Sequence, residues 1–305
     1  MSDIPEIFNR TRHRQNRDRA APGLDAHDFL FCEVGARLAD RVLDINRTFA
    51  TALDLGCHGG EASRALLATG RVDHLVRADC SAAMVSRATA DGAPGVVADE
   101  EALPFSPQAF DLVASSMTLH WVNDLPGTLA QARRALKPDG LFLAALAGAG
   151  TLVELGTALA EAEVEITGGL SPRVSPFADV RDLGNLLVRA GFALPVADTE
   201  TVTVSYPDMF ALIADLRGMG EAGALAARPE KALDCAVLDR AAALYAETHG
   251  DAAGRIPATF EIVFLTGWAP GEGQQKPSPR GSGKIPLAQA LDQTFDKALD
   301  DEKPG

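Results

Sequence analysis

Between residues 51 and 147 short apolar runs alternate with amphipathic helical stretches, and that alternation restricts the chain more than any other feature. TALDL (51–55) precedes a glycine-rich turn and the helical EASRALLATG, and HLVRAD (74–79) precedes SAAMVSRATA. GVVAD (95–99) leads into a loop, and FDLVASSM (110–117) leads into LPGTLAQARRAL, a turn at KPDG (137–140) and LFLAAL (141–146). Short buried runs separated by amphipathic helices are the sequence form of βαβ units, which build a mostly parallel sheet. The expectation is a doubly wound α/β domain.

Flanking segments complete the plan. Residues 29–45 (FLFCEVGARLADRVLDI) carry apolar positions at three- and four-residue intervals and predict a helix. Beyond residue 150 the spacing predicts helices over 151–166 and 178–190, a strand at TVTVSY (201–206) and further helix over 207–249. ATFEIVFLTGW (258–268) alternates as a strand and is expected at the sheet edge. Helices inserted before this strand predict a cap, within 151–255, over the functional site. Residues 269–284 hold three prolines and four glycines with almost no apolar content, so they read as a flexible linker. In the tail, Leu287, Leu291, Phe295 and Leu299 recur every four residues, compatible with a short amphipathic helix or a fraying end. The expected boundaries are therefore 1–28 for a basic arm, 29–268 for the domain, and 269–305 for linker and tail.

The arm is basic on an acidic protein. Arg10, Arg12, Arg14, Arg17 and Arg19 are opposed only by Asp18 in this segment, whereas the whole chain has 42 acidic and 28 basic residues and a net charge of −14. One reading is a solvated helix face or frayed terminus. The other is a lid or partner contact, with Arg10, Arg14 and Arg17 on one face, suited to carboxylates. The overall charge disfavours nucleic acid and anionic membranes as partners. No run reaches the roughly 18 apolar residues a membrane span requires. The first residues lack an apolar leader, so the cytoplasm is the expected compartment. Cys32, Cys57, Cys80 and Cys235 form no C-x-x-C pair, which argues against a zinc ribbon or dithiol motif.

Chemistry concentrates at the ends of the expected strands. In ALDLGCHGG (52–60), Gly56 can take positive φ, and the helix that follows offers free backbone amides. Taken alone, such a turn is equally an ordinary strand-to-helix connection. Asp79 ends the next strand, 25 residues after Asp54, where an acid in a nucleotide-binding fold can accept both hydroxyl hydrogens of an adenosine ribose. One strand later Asp99 and Glu100 form an acidic pair suited to an adenine amino group.

Together LDLGCHGG, the Asp79 strand end, ADEEALPF (98–105), FDLVASSMTLHWVND (110–124) and LKPDGLF (136–142) resemble the class I S-adenosylmethionine-dependent methyltransferases over residues 50–147. The resemblance implies a seven-stranded, mostly parallel, Rossmann-like sheet and S-adenosylmethionine as cofactor. It implies a cofactor set of Asp54, Gly56, His58, Gly60, Asp79, Cys80, Asp99, Glu100 and Ser116. Within it the first loop takes the methionine part, Asp79 the ribose and Asp99 the adenine, while residues 115–120 line the methionine end and the substrate entrance. One departure stands out: His58 replaces the middle glycine of the family's G-x-G-x-G. Its side chain can crowd the methionine carboxylate, hydrogen-bond it, or serve only as a turn residue. A dinucleotide dehydrogenase also uses a glycine turn and an acidic strand end, but nothing here resembles its catalytic half.

A narrower resemblance runs from residue 28 to about 280, through DFLFCEVGARLADRVLDINRTFATALDLG, LHWVNDLPGTL, GGLSPRVSPFADVRDLGNLLVRAGF (168–192), YPDMFALIADLRGMGE (206–221) and IPATFEIVFLTGW (256–268). These look like the mitochondrial complex I assembly factor 5 family and its bacterial relatives. The chain resembles less closely the malonyl-acyl-carrier-protein methyltransferases of biotin synthesis. The first resemblance implies a protein partner, the quinone-site subunit of complex I, with hydroxylation of one of its arginines; the second implies methyl transfer to a carboxylate. A non-catalytic assembly chaperone is the third reading.

The residues themselves do not choose among them. Methyl transfer from a sulfonium needs mostly alignment. Non-haem iron hydroxylation would want two histidines and a carboxylate, and the only H-x-D/E spacing among the six histidines, His249-Gly250-Asp251, comes 129 residues after the histidine before it, His120, so no metal site is expected. His120 and Asn123 are the candidate catalytic residues, with a helix cap as the other reading of Asn123. Trp121 is a substrate wall or a core aromatic. Ser171, Arg173 and Ser175 lie in a glycine- and proline-punctuated loop, and Arg217 and Glu221 flank a Gly-Met-Gly turn, where they can face a protein substrate or cap a helix.

Overall fold

A computed structural model describes residues 6–227 and 233–274. Residues up to Glu272 form one compact unit, and of the second unit only Gly273 and Gln274 are described. The tail with Leu287, Leu291, Phe295 and Leu299, and the greater part of the expected linker, lie outside the described residues.

The chain opens with helix α1 (Arg10–Ala20), whose Asn9 side chain accepts from the Arg12 amide as an N-cap, and continues through a 3-10 segment to α2 (Phe29–Leu43). The βα alternation then follows as β1 (Phe49–Leu55), α3 (Glu61–Ala68), β2 (Val72–Asp79), α4 (Ala82–Ala88), β3 (Gly95–Val97), β4 (Phe110–Ser116), α5 (Leu125–Ala135) and β5 (Leu136–Ala147). Beyond it come α6 (Val153–Thr167), α7 (Val180–Arg189), β6 (Ala193–Tyr206), α8 (Met209–Gly218), α9 (Cys235–His249) and β7 (Ile256–Trp268). The seven strands order as β3-β2-β1-β4-β5-β7-β6, with β1 to β5 parallel and β7 antiparallel to both neighbours. This is the doubly wound, mostly parallel sheet the sequence implied.

Period-two alternation sorts the central strands between two apolar layers. Leu53, Leu55, Val113, Phe142 and Leu146 face α5 and α7. Ala52, Leu112, Leu141 and Leu143 face the opposite layer, which α2, α6, α8 and α9 build. Both faces are covered, as a parallel sheet requires. The helices α6, α8 and α9, from the segment expected to form a cap, pack on the face of Ala52 and Leu112.

Four local expectations change. KPDG is no free turn: it lies inside β5, where Asp139 takes a left-handed φ of +61° and its amide donates to the Ala269 carbonyl. The helix expected over 207–249 is interrupted, because Gly220 at φ +85° ends one helix and the Asp234 side chain caps the next. The final strand is not at the edge. β7 inserts between β5 and β6 because Ile262, Val263, Phe264 and Leu265 are apolar on both faces and fully buried, whereas β6 alternates towards solvent and holds the edge. Ala269, expected to open the linker, is instead buried, and its amide donates to the Gly140 carbonyl. Among the described residues no helix is long and apolar enough to cross a membrane.

Candidate functional site

The polar residues of interest collect beyond the carboxyl ends of β1, β2, β3 and β4, where an open α/β sheet makes its crevice. After β1 the backbone turns sharply through Gly56 (φ +76°), His58 (φ +48°) and Gly60 (φ +88°) into α3. At Gly56 a Cβ would stand 2.2 Å from the Thr118 hydroxyl, so only glycine lets the β1 turn approach the loop after β4. Asp54 is buried and accepts the Ser63 hydroxyl from α3 at 2.5 Å; burial first, then Glu61, raise its carboxyl to a pKa of about 6.

His58 is a wall of the site. Its ring stacks on Phe31 with centroids 4.0 Å apart, and Nε2 lies 3.1 Å from the carbonyls of both Ser116 and Met117. Burial and the neighbouring Arg17 charge hold it well below the usual histidine range, so it is neutral. Asp79 has no solvent exposure: Oδ1 accepts from the Ser81 amide at 2.9 Å and Oδ2 from the His58 amide at 3.1 Å. Cys80 beside it is buried, and burial pushes its thiol up, so it remains protonated. Glu100 is likewise buried, while the Asp99 side chain is half-exposed.

The basic arm is part of this site rather than a solvated extension. Arg10, His13 and Arg17 point from α1 into the crevice, and Arg14, expected on the same face, is exposed. Arg17 is wholly buried, donating from Nη1 to Asp79 at 2.6 Å and from Nη2 to the Thr118 hydroxyl at 2.7 Å. Arg10 donates to Asp99 at 2.8 Å and to Glu100. Burial works against both guanidinium charges, yet the carboxylates outweigh it and raise both above the usual arginine range. His13, buried beside Arg17 and Trp121, is held far below its normal range by burial and by that guanidinium. His13 was not singled out by the sequence, and Arg17 and Thr118 were read only as part of the arm's face and of the run 115–120. The spacing of Phe8, His13, Arg17 and Ala20, all buried, was the available signal, masked by the charges between them.

Asn123 does not reach the crevice. Its Oδ1 accepts from the amides of Ile7 and Phe8, both at 2.8 Å, and its Nδ2 donates to the Phe8 carbonyl at 3.1 Å, so the side chain is spent on clamping the arm. Of the two residues expected to be catalytic, Asn123 is thus engaged with the arm. The cap of α5 is its neighbour Asp124.

His120 lines a cavity of about 410 Å³ between the sheet and the cap. Its Nδ1 sits 3.5 Å from the Ala147 amide and its Nε2 3.2 Å from Glu221 Oε2, which also accepts from Trp121 Nε1 at 2.5 Å. Trp121 serves both readings at once: it is buried, it lines the cavity, and its ring meets Phe8 and His13 of the arm. Leu155, Phe177, Ile213 and Phe260 supply apolar walls. Arg173 and Ser175 also line it, whereas the Ser171 amide donates to Glu163, which holds Arg173 at 2.6 Å. Arg217 sits at the exposed rim.

Comparison with known proteins gives these residues a context. A methyltransferase-domain family profile matches residues 53–144. Over 286 residues the chain is 44% identical to the arginine-hydroxylase NDUFAF5, mitochondrial, of Danio rerio, a likeness spanning 92% of this chain and 88% of that protein. It is 33% identical over 275 residues to a malonyl-acyl-carrier-protein O-methyltransferase of Methylovorus sp. (strain MP688), spanning 87% of this chain and 90% of that one. Among solved structures, phosphoethanolamine N-methyltransferase 2 of Haemonchus contortus, in complex with phosphomonomethylethanolamine and S-adenosylhomocysteine, matches with a TM-score of 0.54 at 16% identity. That match spans 87% of this chain and 61% of the other, and at such identity it shows the fold alone.

Proposed function

Because the chain belongs to the family of the arginine-hydroxylase NDUFAF5, built on the methyltransferase fold, we propose that it modifies an arginine on the quinone-site subunit of respiratory complex I during assembly, with S-adenosylmethionine as its cofactor. The observation that carries this reading is the extent of the likeness: 44% identity over 92% of the chain reaches well beyond the nucleotide half.

The residues at the strand ends fit the cofactor chemically. Asp79 and Glu100 are buried carboxylates at the ends of β2 and β3, suited to ribose hydroxyls and an adenine amino group. Ser116 Oγ and Glu100 Oε1 are buried and have no hydrogen-bond partner within the protein, which a polar ligand would supply. Gly56 and Gly60 with Ser116 would hold the methionine end, and Asp99 would share the adenine with Glu100. Arg17 and Arg10 now occupy the same acids, so cofactor hydroxyls and amines would exchange with guanidiniums. When bound, the cofactor supplies an electrophilic methyl group. This chain's own residues orient: Trp121 and the apolar cap wall exclude water, and His120, held by Glu221 through Nε2, lines the cavity. Hydroxylation requires an oxidant from outside these residues, and we derive no oxygen-transfer step.

Carboxyl methylation of an acyl-carrier-protein thioester is the second reading, favoured by the 33% identity to that enzyme. A cofactor-ordered assembly chaperone is the third. The NDUFAF5 relatives carry a mitochondrial designation. The deciding experiment is mass analysis of the quinone-site subunit from cells with and without the gene. A gain of one oxygen that depends on the gene is expected. An unchanged arginine mass removes the reading, biotin auxotrophy of the deletion strain favours the second, and full assembly by His120→Ala favours the third. Calorimetry with S-adenosylmethionine and with NAD, using Asp79→Ala as control, tests the cofactor independently of the acceptor.

A further inference from the structure

The cavity wall carries an unbalanced carboxylate. Glu221 follows the Gly220 turn at the end of α8, where its amide donates to the Leu216 carbonyl at 2.9 Å, and this fixes its direction. Its side chain is only 9% exposed. Oε2 is occupied by Trp121 and His120, whereas Oε1 is buried with no hydrogen-bond partner. The nearest cation, Arg17 Nη2, is 4.0 Å away, beyond hydrogen-bond reach, and that guanidinium is already committed to Asp79 at 2.6 Å.

Asp79 and Glu221 share one guanidinium, Arg17, which hydrogen-bonds Asp79 and not Glu221, and His13 and His58 are held neutral by burial and by that guanidinium. His120 meets Glu221 through Oε2, so Oε1 is left buried without a hydrogen-bond partner at the wall of a mostly apolar cavity. Buried carboxylates without a charged or hydrogen-bonding partner are costly, so such a wall selects a ligand that brings its own cation. An incoming carboxylate would meet repulsion, because Arg173 on the facing loop is neutralised by Glu163 at 2.6 Å and Arg217 lies at the exposed rim. The planar guanidinium answers a carboxylate oxygen better than an ammonium, since it bonds directionally and is weakly hydrated. The apolar walls suit the methylene stem behind it.

We propose that Glu221 is the specificity-determining residue of the acceptor pocket, accepting the guanidinium of a protein arginine on its free Oε1 while Trp121 and His120 hold its other oxygen. The inference rests on the arginine-modifying reading above and names the residue that selects its acceptor.

The test uses the full chain and two probes, an acetylated leucine-arginine-leucine amide and its citrulline counterpart, which keeps the shape and loses the charge. Trp121 fluorescence or calorimetry reports binding. The wild type should prefer the arginine probe by about tenfold or more, as a charged hydrogen bond gives. In Glu221→Gln, which still accepts from Trp121, the arginine probe should fall to the citrulline level with citrulline binding unchanged. Glu221→Asp should recover part of the preference. A merely structural role would leave the ratio between probes unmoved in Glu221→Gln, and that result, or a wild type that does not discriminate, overturns the proposal. Expression of the same variants in a strain lacking the gene separates the two levels. Full arginine modification by Glu221→Gln overturns the role of Glu221 and leaves the reading intact; modification without the gene overturns the reading and the role with it.

Discussion

Replacing Arg17 by methionine tests whether the arm is docked in solution as the structure has it. Arg17 and Asp79 have no side-chain exposure and meet at 2.6 Å, so the substitution removes the sole side-chain countercharge hydrogen-bonded to Asp79. Truncating one partner of a buried pair generally costs about 3 to 5 kcal/mol, because the remaining charge stays in a poorly polarisable surround. The lower end applies here. Backbone amides of His58 and Ser81 still donate to Asp79 at 3.1 and 2.9 Å, and methionine refills the aliphatic volume. About 3 kcal/mol is a large share of a typical 5 to 15 kcal/mol stability. In urea, with a slope near 3 kcal/mol per molar, the midpoint should fall by about 1 M at unchanged slope. Asp79→Asn alone should also destabilise, by stranding the Arg17 guanidinium. The double variant should cost less than the sum by roughly 1 to 3 kcal/mol, since it strands neither charge. Additive losses, or no movement of the midpoint in Arg17→Met, would refute the docked pair and with it the assignment of the arm to the site.

Three further outcomes follow from particular contacts. Asn123→Ala removes the clamp on Ile7 and Phe8, three bonds of about 1 kcal/mol each, and should speed tryptic cleavage at half-buried Arg12 and exposed Arg14 by about tenfold or more, read by mass spectrometry; an unchanged rate counts against the anchor role. Gly56→Ala forces a side chain into φ +76° and against Thr118, which should cost roughly 2 to 4 kcal/mol and lower the melting temperature by about 5 to 15 °C; pairing it with Thr118→Gly, which removes every Thr118 side-chain atom the new Cβ would meet, should return the packing part. Asp54 has a folded pKa raised to about 6 by burial, so its favourable contribution is complete below the unfolded value and disappears as pH rises through 6. Asp54→Asn should therefore gain stability relative to wild type between pH 4 and pH 7.5, by up to roughly 3 kcal/mol, and a parallel pH dependence of the two proteins in denaturant titrations would contradict the buried state of this carboxyl.

The parallel half was legible because its signal is local: each strand is a short apolar run and each helix opens at a turn that the residue types announce. The antiparallel end was less so. β7 is a central strand by its partners, and nothing within ATFEIVFLTGW says whether the strand before it will pair outside it; the exposure pattern of β6 decides that, and it depends on what packs there. At the site, Asp79, Asp99 and Glu100 were readable as acids at strand ends. Their occupants were not, because the pairing of Arg17 with Asp79 joins positions 62 residues apart, and a charged helix looks solvated until its partners are known. Asn123 shows the same limit in reverse: its side-chain type suits catalysis or capping, and only the approach of Ile7 and Phe8 assigns it to neither.

The arm joins two regions that the sequence presents as separate. From one helix, Arg10 and Arg17 hold the acids at the ends of β2 and β3, while His13 and the preceding Phe8 pack on Trp121, which also lines the cap cavity. Trp121 in turn donates to Glu221, so displacement of α1 would withdraw ring contacts from one side of an indole whose other side fixes the cavity carboxylate. A ligand that competes with Arg17 for Asp79 therefore changes the surroundings of Glu221 without touching it. Such coupling has a thermodynamic signature: whatever factor the cofactor contributes to the affinity for an arginine probe, the probe must return to the affinity for the cofactor. Removing the shared element, as in Arg17→Met, should bring that factor towards one even where each ligand still binds.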